Sequence, residues 1–208
     1  MNNRERVLSA IRTSLSDVPD GERPIEVDVP RGGKIVDPVE LFVERVREYR
    51  GLVRSLPATE VPTAAREICR ANGVTRLVVP PGVDESWLPA EGIEVVPDGP
   101  LTAAELDEVG GVLTGCRLAI AETGTIVLDG GPISGRRVIT LVPDVHLCVI
   151  SADQIVGSVP EAVDRLDDSV ATEGLPLTFV SGPSATSDIE FNRVEGVHGP
   201  RHLAVLLI

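Results

Sequence analysis

The sequence predicts an α/β protein, an open mixed sheet with flanking helices, led by an N-terminal helical arm. Three observations predict it. Between residues 37 and 109, short apolar runs alternate with helical patterns on a short period, the signature of parallel strands joined by helical crossovers. From residue 112 onward apolar runs crowd together with a single helical interruption, which predicts strands that are partly antiparallel. Residues 1–36 carry one amphipathic helix and then a Pro- and Gly-rich stretch, set apart from the domain expected over 37–208.

Each element has a local reason. In residues 2–15, Val7, Leu8, Ile11 and Leu15 fall on one helical face with arginines opposite. Residues 16–36 hold Pro19, Pro24, Pro30 and Gly32–Gly33, which reads as a flexible linker, so the first helix is expected to pack on a partner subunit; a homo-oligomer is one such arrangement. Asp37 as cap, Pro38 at the first helical position and Glu40 three residues after the cap open a helix. A strand follows at 51–56 and a helix at 60–72, closed by Asn72–Gly73. Strands at 77–79 and 93–96 flank a turn or short helix at 84–88, and Thr102 with Glu105 caps a helix over 102–109. Strands are then predicted at 112–121, 124–129, 137–142, 145–150, 175–180 and 202–207, with Gly130–Gly131–Pro132 and Pro143–Asp144 as hairpin turns and a helix at 159–167.

Composition removes several functions. The chain has 208 residues, 42% hydrophobic and 25% charged, ordinary for a globular protein. Such a length buries about 70% of its unfolded surface. Nineteen basic against 32 acidic residues give −13, which repels phosphate backbones, and three Phe, one Trp and one Tyr offer few stacking platforms; nucleic-acid binding is not expected. The apolar runs are too short to span a bilayer, so no membrane role is expected. Cys69, Cys116 and Cys148 lie far apart with no cluster spacing, so no metal and no iron–sulfur site is expected in this chain. An odd cysteine count without a signal segment points to a reducing cytoplasm. Lys34 is the only lysine, which leaves Schiff-base chemistry to that residue alone.

Three segments can carry chemistry. In Ala121-Glu122-Thr123-Gly124-Thr125, Glu122 is either a base, nucleophile or ligand anchor, or the solvent-facing residue of a hairpin turn. Ser181-Gly182-Pro183-Ser184-Ala185-Thr186-Ser187-Asp188-Ile189-Glu190 follows a strand directly and offers backbone and hydroxyl donors to a carboxylate or phosphate. The alternative is a loop in which Ser187 or Asp188 caps a helical turn. In Gly196-Val197-His198-Gly199-Pro200-Arg201, His198 is a proton shuttle or anion ligand, or a surface residue. Arg201 with Arg193 can clamp a carboxylate. His146, inside an apolar strand, reads as a core residue, and Arg136–Arg137 reads as an anion contact or a solvated pair.

These blocks, together with Leu141-Val142-Pro143-Asp144-Val145-His146, resemble in order and spacing the lactate utilization protein C family, the small LUD-domain proteins. The resemblance implies a fold similar to the sugar-isomerase and CoA-transferase group. It implies one part of a three-component cytoplasmic system oxidising L-lactate to pyruvate, with iron–sulfur clusters carried by the partner proteins and a small carboxylate as ligand. It points to Glu122, Thr123, Gly124 and Thr125, to Gly182, Ser184, Thr186, Asp188 and Glu190, and to His198. Glu122-Thr123-Gly124 is loosely similar to the glutamate before glycine that attacks the thioester in CoA transferases. A stand-alone enzyme on a CoA-linked or phosphorylated substrate, or a non-catalytic ligand-binding scaffold, remain the alternatives.

Overall fold

The computed structural model describes residues 2–16, 35–89, 91–186, 194–196 and 198–208, with backbone alone at 167–173, 186, 194 and 195. The chain divides into two compact units, Met1–Pro30 and Arg31–Ile208. In the first, helix α1 (Asn3–Ser14) starts with a capping box between Asn2 and Glu5. It buries no residue: Val7, Ile11 and Leu15 are 59%, 49% and 58% exposed.

The second unit contains α2 (Pro38–Glu48), β1 (Leu52–Ser55), α3 (Val61–Ala71), β2 (Arg76–Val79), β3 (Glu94–Pro97), α4 (Ala103–Asp107), β4 (Gly110–Thr114), β5 (Leu118–Ile120), β6 (Thr125–Leu128), β7 (Val145–Ile150), β8 (Ile155–Val156), α5 (Val159–Glu173), β9 (Thr178–Val180), β10 (Ala185–Thr186), β11 (Val194–Glu195) and β12 (His202–Leu207). The predicted caps form: the Asp37 carboxylate accepts from Glu40 N–H at 2.9 Å, and Thr102 and Glu105 cap each other.

Six strands make a sheet in the order β1-β12-β7-β4-β2-β3 in which every pairing is parallel. Four others form a second sheet, β8-β5-β6-β9, where β6 runs antiparallel to β5 and β9 while β8 is parallel to β5. The mixed character predicted from sequence is therefore divided between two sheets. One face of the parallel sheet packs on α3 through Ala65, Ile68, Leu77, Leu113, Leu147 and Leu206. The opposite face packs on α2 and the second sheet through Phe42, Val46, Ala119, Ile126, Cys148 and Val205. The outer face of the second sheet is covered by Ala162 and Leu166 of α5.

Four expectations are corrected. The run 112–121 is two strands, β4 and β5, in different sheets. Gly115 N–H donates to Ile133 O and Arg117 N–H to Val127 O, so the chain changes partners there. Residues 137–142 are not a strand: Arg137–Thr140 is a short 3₁₀ helix, and Val138, Ile139 and Val142 pack together against Leu106 and Val112. That spacing suits a helical turn, and β-branched composition alone misleads. Neither Gly130–Gly131–Pro132 nor Pro143–Asp144 turns a hairpin, since β6 and β7 lie in different sheets. Helix α5 also extends to Glu173, beyond the predicted end, and stops before Gly174 at φ 63°.

The stretch Asp129–Arg136 instead lies over the carboxyl ends of β2, β3 and β4. Gly82 N–H donates to Pro132 O at 2.9 Å, and Gly115 N–H to Ile133 O at 3.0 Å. Asp129 accepts from Gly131 N–H and Ser134 Oγ. Asp98, directly after β3, accepts from Arg136 Nε at 2.8 Å and Nη2 at 2.7 Å, with its side chain only 5% exposed. Removing this near-buried carboxylate by Asp98→Ala should lower stability by about 1–3 kcal/mol. Hydrogen exchange at the amides of Gly82 and Gly115 should speed up with it.

His146 is in the core, 1% exposed, with Nε2 2.8 Å from Thr114 Oγ1. Burial pushes its pKa down to about 4. The unfolded chain takes up this proton below about pH 6.5, whereas the folded one resists until about pH 4. Stability from this group is thus intact above pH 6.5 and falls by about 1.4 kcal/mol per pH unit between these limits. Urea unfolding across pH 4–7 should show that loss in the wild type and not in His146→Gln.

Candidate functional site

The first predicted segment is the turn of the β5–β6 hairpin, closed by Gly124 at φ 59°. Glu122 is exposed at this turn; its carboxylate accepts from Val159 N–H at 3.3 Å in the first turn of α5, a favourable place for an anion. On the other side the hydroxyls form a chain. Thr123 Oγ1 lies 2.7 Å from Thr125 Oγ1, which lies 2.7 Å from Ser181 Oγ. Thr125 is 4% exposed, so its hydroxyl is buried and satisfied by both neighbours.

Antiparallel pairing of β9 with β6 sets Val180 opposite Ile126, which delivers Ser181 to Thr125. The second predicted segment therefore starts against the first. It continues to the third: His198 N–H donates to Ser184 Oγ at 3.1 Å, Ser184 N–H donates to Pro200 O, and Gly196 N–H donates to Ser184 O. The short ladder of β10 with β11 pairs Ala185 with Glu195 and Thr186 with Val194. Asp188, Glu190 and Arg193, singled out from the sequence, lie outside the described residues, as do Lys34 and most of the predicted linker.

Helix α2 is the seat of this cluster. A Cβ on Gly124 would sit 2.7 Å from Arg45 Cβ, and one on Gly182 would sit 2.5 Å from Tyr49 Cβ. Only glycine permits both approaches, and Gly182 also needs its φ of 88°. The loop into β12 completes the arrangement: His202 N–H donates to Asp144 O, and Arg201 pairs with Asp144 at 3.5 Å.

The cluster lies at the amino ends of β1, β12 and β7. The rule that ligands sit beyond the carboxyl ends of an open parallel sheet does not place it, because β9 belongs to the second sheet. Ser181, Asp144 and the last turn of α2 were not among the predicted site residues. Ser181 opens a predicted segment and was readable; nothing in residues 45–50 signals a seat. Hydroxyls in series, backbone N–H groups and nearby arginines can donate to an anionic oxygen.

The cysteines are buried at separate or paired positions. Burial pushes the Cys69 thiol up to about 11, and Cys116 is raised by its hydrogen bond with Cys148 and by burial. Among the described residues no three His, Cys, Asp or Glu side chains group as a metal site, and no helix is long and apolar enough to cross a membrane.

A parallel α/β sheet backed by a small mixed sheet, with motif loops gathered at its amino edge, defines the class. A family model described as the LUD domain matches residues 102–208, which contain all three loops. A lactate utilization protein C of Deinococcus radiodurans is 44% identical over 206 residues, 98% of this chain and 94% of the relative. One from Bacillus subtilis is 33% identical over 108 residues, 50% of this chain and 44% of the relative. A crystal structure of a DUF162 family protein from Deinococcus radiodurans superposes with a TM-score of 0.71 at 38% identity, covering 85% of this chain and 99% of that one. The chain belongs to the LUD-domain family.

Gly182→Ala should destabilise the domain by about 2 kcal/mol or more, since both the left-handed backbone and the contact with Tyr49 forbid a Cβ. Chemical unfolding of this variant beside a surface control such as Gly73→Ala, where a Cβ meets open space and only the backbone is strained, should show the larger loss at Gly182.

Proposed function

We propose that this chain is the subunit of an L-lactate-oxidising system that handles a small carboxylate, with the iron–sulfur clusters in its partner proteins and the work done in the cytoplasm. The observation that carries it is the convergence of Thr123, Thr125 and Ser181 with the Ser184–His198 pair on the end of α2. Such a hydroxyl series donates to the carboxylate that lactate and pyruvate share. Similarity to lactate utilization proteins C supports the lactate part of this reading. The wide separation of Cys69, Cys116 and Cys148 in the sequence supports cluster ligation by the partner chains in this reading.

In this reading the buried Thr125 hydroxyl positions Ser181, whose hydroxyl orients the carboxylate, Ser184 holds the His198 segment over it, and Arg201 adds charge at the rim. Glu122 contributes through the start of α5. Growth of the source organism on L-lactate tests the whole. A strain lacking only this chain should fail to grow. The wild type should restore growth, and Thr125→Val should restore it several-fold less well while unfolding within a few degrees of wild type. Normal growth without the chain, or full lactate-dependent dye reduction by the iron–sulfur partners alone, would sink the proposal. Loss of growth with Glu122→Ala at unchanged stability would move Glu122 into the chemistry.

A further inference from the structure

The way three hydroxyls share their protons limits what can bind to them. Thr123 Oγ1 and Ser181 Oγ each lie 2.7 Å from Thr125 Oγ1, and each of these hydrogen bonds uses one proton. Thr125 is 4% exposed, and among the described residues its hydroxyl meets these two partners alone. Its own proton therefore goes to one of them, because a buried O–H without an acceptor costs more than a bond contributes. The other bond is made with the neighbour's proton, and Thr125 accepts it.

The consequence holds whichever way the chain points. With Thr123 donating to Thr125 and Thr125 to Ser181, Ser181 keeps a free O–H and Thr123 turns lone pairs outward. Reversed, Thr123 has the free O–H and Ser181 the lone pairs. One end donates and the other accepts, and each bond polarises the next. Both ends can be reached: Ser181 is exposed and Thr123 half-buried, and among the described residues neither hydroxyl bonds anything else. The neighbouring carboxylate, that of Glu122, accepts from Val159 N–H instead.

The two ends are also held in place. Gly124, seated on Arg45, fixes the turn between Thr123 and Thr125, and the pairing of Ile126 with Val180 delivers Ser181. Two bonds of 2.7 Å separate them, which one small molecule can span. A carboxylate only accepts, so at Ser181 it takes the donating end and sets the direction of the chain. Thr123 is then left to accept. A hydroxyl on the carbon beside the carboxylate can donate to it, whereas a keto oxygen there opposes lone pair to lone pair.

We propose that Thr123 determines specificity at this site: it accepts a hydrogen bond from the ligand's hydroxyl while Ser181 donates to the ligand's carboxylate, so that α-hydroxy acids bind in preference to α-keto acids and unsubstituted carboxylic acids. The inference rests on the carboxylate reading of the site and adds the ligand's second group and the residue that selects it.

Thermal unfolding of the full chain tests it, with sodium L-lactate, glycolate, pyruvate or propionate set against sodium chloride at equal ionic strength. In the wild type, L-lactate and glycolate should give the same rise in Tm at about tenfold lower concentration than pyruvate or propionate, which leave Thr123 opposed or unpartnered. Thr123→Val, without the hydroxyl, should lose this preference, all four salts acting at like concentrations. Thr123→Ser should keep it. A wild type that responds equally to the four salts, favours pyruvate or responds to none would overturn the assignment, as would a preference that survives in Thr123→Val. Growth separates the two readings. Equal responses in a chain that lactate growth requires remove the role of Thr123 and leave the pathway; a Thr123-dependent preference in a chain that lactate growth does not need removes the pathway and leaves Thr123.

Discussion

The arrangement depends on one apolar seam. Phe42 and Val46 of α2 are wholly buried between Cys148, Val205 and Leu207 of the parallel sheet and Ala119 and Ile126 of the second sheet. That burial fixes three bodies at once. It holds the second sheet across one face of the first, and it sets the end of α2 beside both the β5–β6 hairpin and the loop after β9. Close packing makes such a seam intolerant of volume change, so loops anchored to it inherit its rigidity. The hydroxyls of Thr123, Thr125 and Ser181 lie within hydrogen-bond distance because the seam lies beneath them.

Elements governed by their own residues were legible in the sequence. Asp37-Pro38 with Glu40, and Thr102 with Glu105, are cap signals whose partners sit within a turn, so both helices were readable. The parallel strands were readable for a similar reason, since apolar runs buried on both faces separate from the helices between them. The breaks came where distant segments decide. Gly115 exchanges one sheet for another because Ile133 receives its hydrogen bond, and no local pattern encodes that partner. The run from Arg137 to Thr140 has β-branched residues yet turns helically, because Ile139 must reach the cluster around Leu106 and Val112.

The candidate site was legible as a set of pieces. Glycine beside hydroxyl residues marked the hairpin and the loops, and the contact of Thr125 with Ser181 joins a residue singled out from the sequence to the first residue of the neighbouring segment. The seat was not legible. Tyr49 closes an ordinary amphipathic helix, and its part in the site follows from the topology that puts β1 next to β12.

The stretch from Asp129 to Arg136 bears on how such a fold can acquire ligands. Open α/β proteins ordinarily keep the crevice at the carboxyl edge for a guest. Here three strands of that edge already host a segment of the same chain, clasped by Asp98 and Arg136. A tethered occupant competes at an effective concentration on the order of millimolar or above. A metabolite reaching for that edge therefore meets a rival that never diffuses away, and the open edge for innovation is the opposite one.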